Sequence, residues 1–161
     1  MISTFKPADY TAAGFKDPNI PIQELTVIGF DEQSHGVALG ELLTELNLEE
    51  ITCNFDYSSV LTSVDVMIPT ARAIEYVGVS AFLGSVANIN DANILTSGAT
   101  ILTNEARHQS ITNILDGHTA IPQAFDIAML PNEVVTIAQV FFSGPCETGI
   151  TRTCFTITNR V

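Results

Sequence analysis

Apolar and polar residues recur along most of the chain with a helical period. Between Ile22 and Leu46 the apolar positions repeat in alternating steps of three and four residues, which predicts a helix over residues 22–46. Two ionisable residues, Glu32 and His35, occupy positions in the middle of this apolar seam. Since a seam of this kind normally faces a core, both side chains are predicted to point inward.

The same period, with helix start and stop signals, predicts three further helices, over residues 69–89, 91–116 and 131–143. Pro69 suits the first turn of the second helix, and Pro131 suits the first turn of the last. Asp91 is the candidate N-cap of the third helix, and Gly117 is its stop signal.

The segments outside these helices have the composition of connections. Residues 1–20 are rich in Pro, Gly and Asp and predict an irregular arm, and residues 47–66 predict a long connection. The Thr-rich, β-branched residues 144–161 predict an extended tail. The length suits one domain, so residues 1–161 are interpreted as a single all-α domain.

Three of the predicted helices carry carboxylates in their apolar seams. A Glu-x-x-His spacing occurs twice, at Glu32/His35 and at Glu105/His108, and Glu75 lies in the seam of the helix between them. A residue and the third one after it share a helix face. Each ionised carboxylate that is buried with others destabilises the fold by an amount on the order of several kcal/mol, unless it is protonated or its charge is compensated. Carboxylates with imidazoles suit iron, manganese or zinc. The alternative is a polar layer that holds no metal.

Net charge and cysteine content limit the possible partners and compartment. Six basic against 18 acidic residues give a formal net charge of -12, so nucleic acid and anionic membranes are not expected partners. No apolar run is expected to span a membrane, and no signal peptide is visible. The three cysteines favour an oxidising compartment, with Cys146–Cys154 or Cys53–Cys146 as the pairing.

Four stretches resemble a known family: DEQSHGVAL, IEYVGVSAFLG, ILTNEARHQ and IPQAFDIAMLPNEV. They are similar to the ferritin-like domain of fungal stress-response and sexual-development proteins and of plant desiccation-related proteins. The resemblance runs from about Phe5 to Cys146 and implies a four-helix bundle with a dimetal site. That site type takes one Glu from each of two helices and Glu-x-x-His from each of the other two. The residues it implies here are Glu32, His35, Glu75, Glu105 and His108.

The chain departs from the family pattern at its beginning. The family has a long first helix, with the first ligand Glu, before a segment like FKPADYTAAGF, and this chain starts at that segment. The first helix and a sixth ligand are therefore expected to be missing, and Glu24 lies two turns from Glu32 and is a poor substitute. The resulting groove is expected to be filled by the short helix 131–143, by a second copy of the chain or by another protein.

Two functions follow as expectations. The first is a structural or accessory interaction subunit on a ferritin-like scaffold with an incomplete metal site. By resemblance in size and type, one form expected for such a subunit is the small acidic, extracellular subunit of a secreted fungal oxidase such as a laccase. The alternative is a dinuclear metal-binding oxidase or a metal-handling protein. The visible defect in the ligand set favours the first, and so a protein that is not itself an enzyme.

Overall fold

The computed structural model describes residues 4–49 and 52–144, and these residues form helices and connections without a strand. This confirms the predicted all-α class. The α-helices of the described residues are α1 (Pro7–Ala12), α2 (Asn19–Glu45), α3 (Val64–Ser85), α4 (Ala92–Leu115) and α5 (Pro131–Ala138). Single 3₁₀ turns cover Ser58–Val60, Val86–Asn88 and Gln139–Phe141.

The three long helices build the bundle that positions the site. Helices α3 and α4 form a closely packed antiparallel pair, and α2 lies against α4. Helix α5 packs on α3, and the short α1 packs on α2. Since α4 contacts both other long helices, it is the central element of the bundle, and residues on its inner faces meet side chains from α2 and α3.

The apolar core lies at the end of the bundle where α1 crosses. Its buried residues are Tyr10, Leu25, Val64, Met67 and Ile68. Phe5 and Phe15 pack edge-on against the Tyr10 ring, at centroid distances of 6.5 and 6.1 Å. Edge-to-face pairs of this kind stabilise beyond the area that they bury. The core therefore ties the N-terminal segment to α2 and α3.

The prediction of an irregular arm over residues 1–20 was wrong. Residues Pro7–Ala12 form α1, and α2 begins at Asn19 rather than at Ile22. Pro7 stands at the start of α1, and the Lys6 N–H donates to the Asp9 carboxylate at 2.7 Å. The short helix forms because it buries Tyr10 completely, and composition alone does not show this tertiary contact.

The predicted start of the second long helix at Pro69 was also wrong. Helix α3 begins at Val64, after Ser63, so Pro69 lies inside the helix. Its ring removes a single backbone hydrogen bond in the second turn. Burial of Val64, Met67 and Ile68 favours the added turn, since all three belong to the core.

Helix α4 has the ends that its sequence predicts. The Asp91 carboxylate accepts hydrogen bonds from the backbone N–H groups of Asn93 and Ile94, at 2.8 and 3.1 Å. Gly117 follows the last turn with a φ of +75°. Both caps use local chemistry that the sequence displays directly.

The connection after α4 returns across α3 before it enters α5. The Met129 N–H donates to the Ser80 carbonyl at 3.0 Å, and a Cβ at Gly84 would overlap the Met129 carbonyl. Helix α5 ends at Ala138 and continues as a 3₁₀ turn, whereas the sequence predicted one helix over residues 131–143. The predicted tail lies outside the described residues beyond Gly144.

The segment that follows α5 pairs with the long connection before α3. The Ser143 N–H donates to the Asn54 carbonyl at 2.9 Å, and the Asp56 N–H donates to the Phe141 carbonyl at 2.7 Å. Cys53 adjoins this pairing and is disulfide-bonded. Cys146 and Cys154, on which both predicted pairings depend, lie outside the described residues.

By length and composition, Val64–Asn88 is apolar enough to cross a membrane, contrary to the expectation that no segment is. Core helices of soluble proteins meet the same criterion. Here the helix carries Arg72 and the buried Glu75, and it packs along α4.

Candidate metal centre

The residues of the two Glu-x-x-His motifs meet halfway along the bundle, together with Glu75. Helix α2 contributes Glu32 and His35, α3 contributes Glu75, and α4 contributes Glu105 and His108. The α3 and α4 residues are buried, with exposures of 7%, 4% and 5% for Glu75, Glu105 and His108. These three therefore lie inside the bundle, as their apolar seams predict.

Four donors lie within reach of one metal ion. One ligand atom each from Glu32, Glu75, Glu105 and His108 can be chosen so that all lie within 4.8 Å of one another. His108 Nδ1 is 3.1 Å from Glu32 Oε1 and 3.5 Å from Glu75 Oε2. We call these four residues the carboxylate–histidine cluster. Glu32 differs from the others because its side chain is 46% exposed, so the cluster is open on the α2 side.

His35 stands beside the cluster. Its Nδ1 atom lies 3.1 Å from Glu105 Oε1 and 3.4 Å from Glu32 Oε1. Its ring stacks on the ring of His108, with centroids 5.9 Å apart. The structure therefore brings all five predicted residues together, with His35 outside the set of four mutually close donors.

Two polar residues that the sequence analysis missed hold the outer edge of His108. Asp31 Oδ2 lies 3.1 Å from His108 Nε2 and accepts a hydrogen bond from Asn104 Nδ2 at 3.0 Å. The Arg107 guanidinium donates to Asn104 Oδ1 at 2.7 Å. A carboxylate on the far nitrogen fixes the orientation of a histidine and leaves the other nitrogen as a donor to a metal. The sequence does contain a signal for these two residues, since Asp31 and Asn104 each directly precede the Glu of a Glu-x-x-His motif.

Burial and crowding shift the protonation of the cluster in opposite directions. Burial, with the charges of Glu32 and Glu75, raises the pKa of Glu105 to about 8. Burial also raises the pKa of Glu75. Burial disfavours the charged form of His108, but the close contacts of its ring nitrogens with the carboxylates of Glu32, Glu75 and Asp31 outweigh burial and raise the His108 pKa to about 10. The site thus holds protons that a cation would displace.

Glu32 shows the opposite balance. Its burial opposes ionisation, but the close contact with His108 and the charges of both histidines lower its pKa. Asp31 likewise has a lowered pKa, mainly because His108 and Asn104 donate to it. The α2 side of the cluster therefore supplies carboxylates that are ionised at neutral pH.

The donor set fits a transition metal ion. Glu75 Oε2, His35 Nδ1 and His108 Nδ1 are buried and have no hydrogen-bond partner of good geometry among the described residues. Their close neighbours lie at ion-pair distances of 3.1 and 3.5 Å without the geometry of a hydrogen bond. Buried polar atoms are normally satisfied, and two of these three, on Glu75 and His108, belong to the carboxylate–histidine cluster, which therefore suits a bound ion. Carboxylate oxygens with imidazole nitrogens match iron, manganese or zinc.

A helical bundle whose helices project carboxylates and histidines into one interior point defines the class of helical-bundle carboxylate proteins. Within this class, the chain matches the sequence model of the ferritin-like domain family over residues 2–118, and it belongs to that family. The match covers α1 to α4, including every residue of the carboxylate–histidine cluster. No curated protein matches the chain.

Proposed function

We propose that the chain is a metal-binding ferritin-like protein, with iron, manganese or zinc held by the carboxylate–histidine cluster. The convergence of four donors from three helices carries the proposal. Glu75, Glu105 and His108 are the buried ligands, and Glu32 is the ligand on the open side. A bound ion would act as a Lewis acid there, and iron or manganese would add redox chemistry.

The surrounding residues have separate roles in this proposal. Asp31 accepts from His108 Nε2 and so directs His108 Nδ1 towards the carboxylates. His35 neighbours Glu105 and is the candidate ligand for a second ion, with Glu32 and Glu105 shared between the two. The predicted set contains no further carboxylate for the ion at His35. This second ion is therefore expected to bind more weakly than the ion in the carboxylate–histidine cluster.

The test is metal content per chain, measured by elemental mass spectrometry on protein purified without chelators. We expect about one equivalent of iron, manganese or zinc, and a large loss in Glu105→Gln and His108→Ala. Glu24→Gln and His118→Ala are the matched controls, since they remove the same groups away from the cluster. Equal metal content in the cluster variants and the controls would refute the proposal. Oxygen uptake by the iron-loaded protein then distinguishes the dinuclear oxidase from a protein that only holds metal.

A second function, an accessory interaction subunit, has its own support. A groove of about 510 Å³ runs between α2 and α3 and is partly covered by Tyr57 and Val134. Its walls are mainly apolar, and Glu32, Glu75 and Glu105 reach its surface. A helix from another chain or from a second copy, with an apolar face and one carboxylate, would fill the groove and add a ligand.

Within this second proposal, the finer form is a subunit of a secreted fungal oxidase such as a laccase, and its location is extracellular. The disulfide at Cys53 supports an oxidising compartment. Light scattering tests the association of copies, and Ile74→Asp in the groove is expected to abolish it while Ile114→Asp, on exposed α4 surface, leaves it intact. Retention of association by Ile74→Asp would exclude the groove as the interface.

A further inference from the structure

A second cavity lies at the end of the bundle where α2 and α3 finish and α4 begins. Its volume is about 380 Å³, within the range of about 300–1,000 Å³ that is usual for small-molecule sites. It is lined by three helices, and its walls include Leu39, Leu42, Phe82, Ile89, Ile94 and Leu102. None of the carboxylate–histidine cluster lines it, so it is a separate feature of the bundle.

The cavity exists because small residues face it. Ala38 on α2 and Gly98 and Ala99 on α4 are too short to fill the space between the helices. An added Cβ at Gly98 would meet no atom within 4 Å. The cavity therefore stays open on the side of α4, and its apolar walls are available to a ligand.

The charges around this cavity have one sign. Glu41 and Glu45 are exposed and line its rim, and neither α2 nor α3 has a basic residue in its last turn. The carbonyl ends of these two helices carry partial negative charge, and at the start of α4 the Asp91 carboxylate caps the N–H groups. No lysine or arginine is among the lining residues. An anion would be repelled, and a cation would be attracted.

We propose that this cavity binds an organic cation: a molecule with an apolar body and a protonated amine or quaternary ammonium group. The body contacts the Leu, Ile and Phe side chains, and the cationic group lies at the rim beside Glu41 and Glu45. The apolar walls supply affinity by removing hydrocarbon surface from water. The acidic rim supplies the selectivity for positive charge.

The test compares three probes with the same alkyl chain by titration calorimetry on the metal-free full chain. They are decyltrimethylammonium, decanol and decyl sulfate, each below its aggregation concentration. We expect the cation to bind at least about fivefold more tightly than the sulfate, with the difference reduced at high salt. Equal affinity for the cation and the sulfate would overturn the proposal.

Two sets of variants locate the binding. Gly98→Leu fills the cavity and is expected to abolish binding, while Gly98→Ala is the matched control that keeps it. Glu41→Gln with Glu45→Gln is expected to remove the preference for the cation, whereas Glu24→Gln is not. Unchanged binding in Gly98→Leu, or unchanged preference in the double rim variant, would exclude this cavity. Metal content is measured separately, so failure at the carboxylate–histidine cluster does not affect the outcome.

Discussion

The Glu105 carboxylate lies where a side chain at Gly78 would begin. A Cβ built at Gly78 on α3 overlaps Glu105 Oε2, although Glu105 is on the neighbouring helix α4. Glycine costs a helix interior about 0.5–1 kcal/mol relative to alanine. Gly78 is nevertheless the residue at which the buried Glu105 carboxylate lies close to the α3 backbone. The glycine at position 78 thus leaves the space that the Glu105 carboxylate occupies in the carboxylate–histidine cluster.

Gly78→Ala is therefore expected to keep the fold and to lose metal. The added methyl meets the flexible end of Glu105, so the carboxylate moves aside while the helix gains propensity. We expect metal affinity to fall at least about tenfold and thermal stability to change by less than about 1 kcal/mol. Gly98→Ala is the control, because it adds the same methyl where no atom lies within 4 Å. Competition titration with a zinc indicator measures the metal affinity of both variants. Equal affinities of Gly78→Ala and Gly98→Ala would argue against the contact between position 78 and Glu105.

Asp31→Asn tests the orientation of His108. The carboxylate lies 3.1 Å from His108 Nε2, and an amide in its place can present an N–H that favours the wrong tautomer. Loss of such an outer partner typically lowers metal affinity about 10- to 100-fold. We expect a decrease in this range for Asp31→Asn and none for Glu24→Gln on the same helix. A zinc affinity like that of the wild type would mean that Asp31 does not orient the ligand.

Metal binding is expected to tighten as the pH rises. The pKa of Glu105 is raised to about 8 and that of His108 to about 10, so both hold protons at neutral pH that an ion must displace. Each displaced proton should raise the apparent affinity up to about tenfold per pH unit below the group's pKa. Zinc titrations in two buffers, at about pH 6 and about pH 8, measure the affinity and the protons released. A pH-independent affinity would contradict the protonation that burial imposes.

The helical class and the positions of the five predicted site residues could be read from the sequence, and for a physical reason. A seam of period three and four records which face is inward, so Glu75, Glu105 and His108 were correctly predicted to be buried. Their role as metal ligands stays a prediction. Glu32 is half exposed because α2 is open towards the groove, and a seam does not show what covers it.

What the sequence hid depends on contacts between elements. Asp31 lies one residue off its seam, and only the spacing of α2 and α4 brings it to His108 and Asn104. The helix around Tyr10 forms through a core that residues far along the chain complete. Local patterns carry no record of such distances.

The disulfide at Cys53 is expected to join it to Cys146. Asn54 pairs with Ser143 and Asp56 with Phe141, so Ser143 lies beside the residue that follows Cys53. Cys146 follows Ser143 by three residues, whereas Cys154 follows it by 11, and the nearer cysteine closes the shorter path. Peptide mapping without reduction should recover the 53–146 link, with Cys154 alkylated. Recovery of a 53–154 link would show that the pairing beside Asn54 does not select the partner.

Tyr10 is expected to make the fold sensitive to alkali. Its hydroxyl is buried without a hydrogen-bond partner among the described residues, and burial, with the charge of Asp9, raises its pKa above 10.0. A raised pKa in the folded state contributes stability that is complete below the pKa of the unfolded chain and is lost as the pH rises through the folded value. Tyr10→Phe removes the ionisable group and an unsatisfied polar atom. We therefore expect it to equal or exceed the wild type by up to about 1 kcal/mol at neutral pH, with a widening advantage above about pH 10. Urea unfolding across this range measures the difference. A constant difference at every pH would show that the Tyr10 hydroxyl does not remain protonated in the fold.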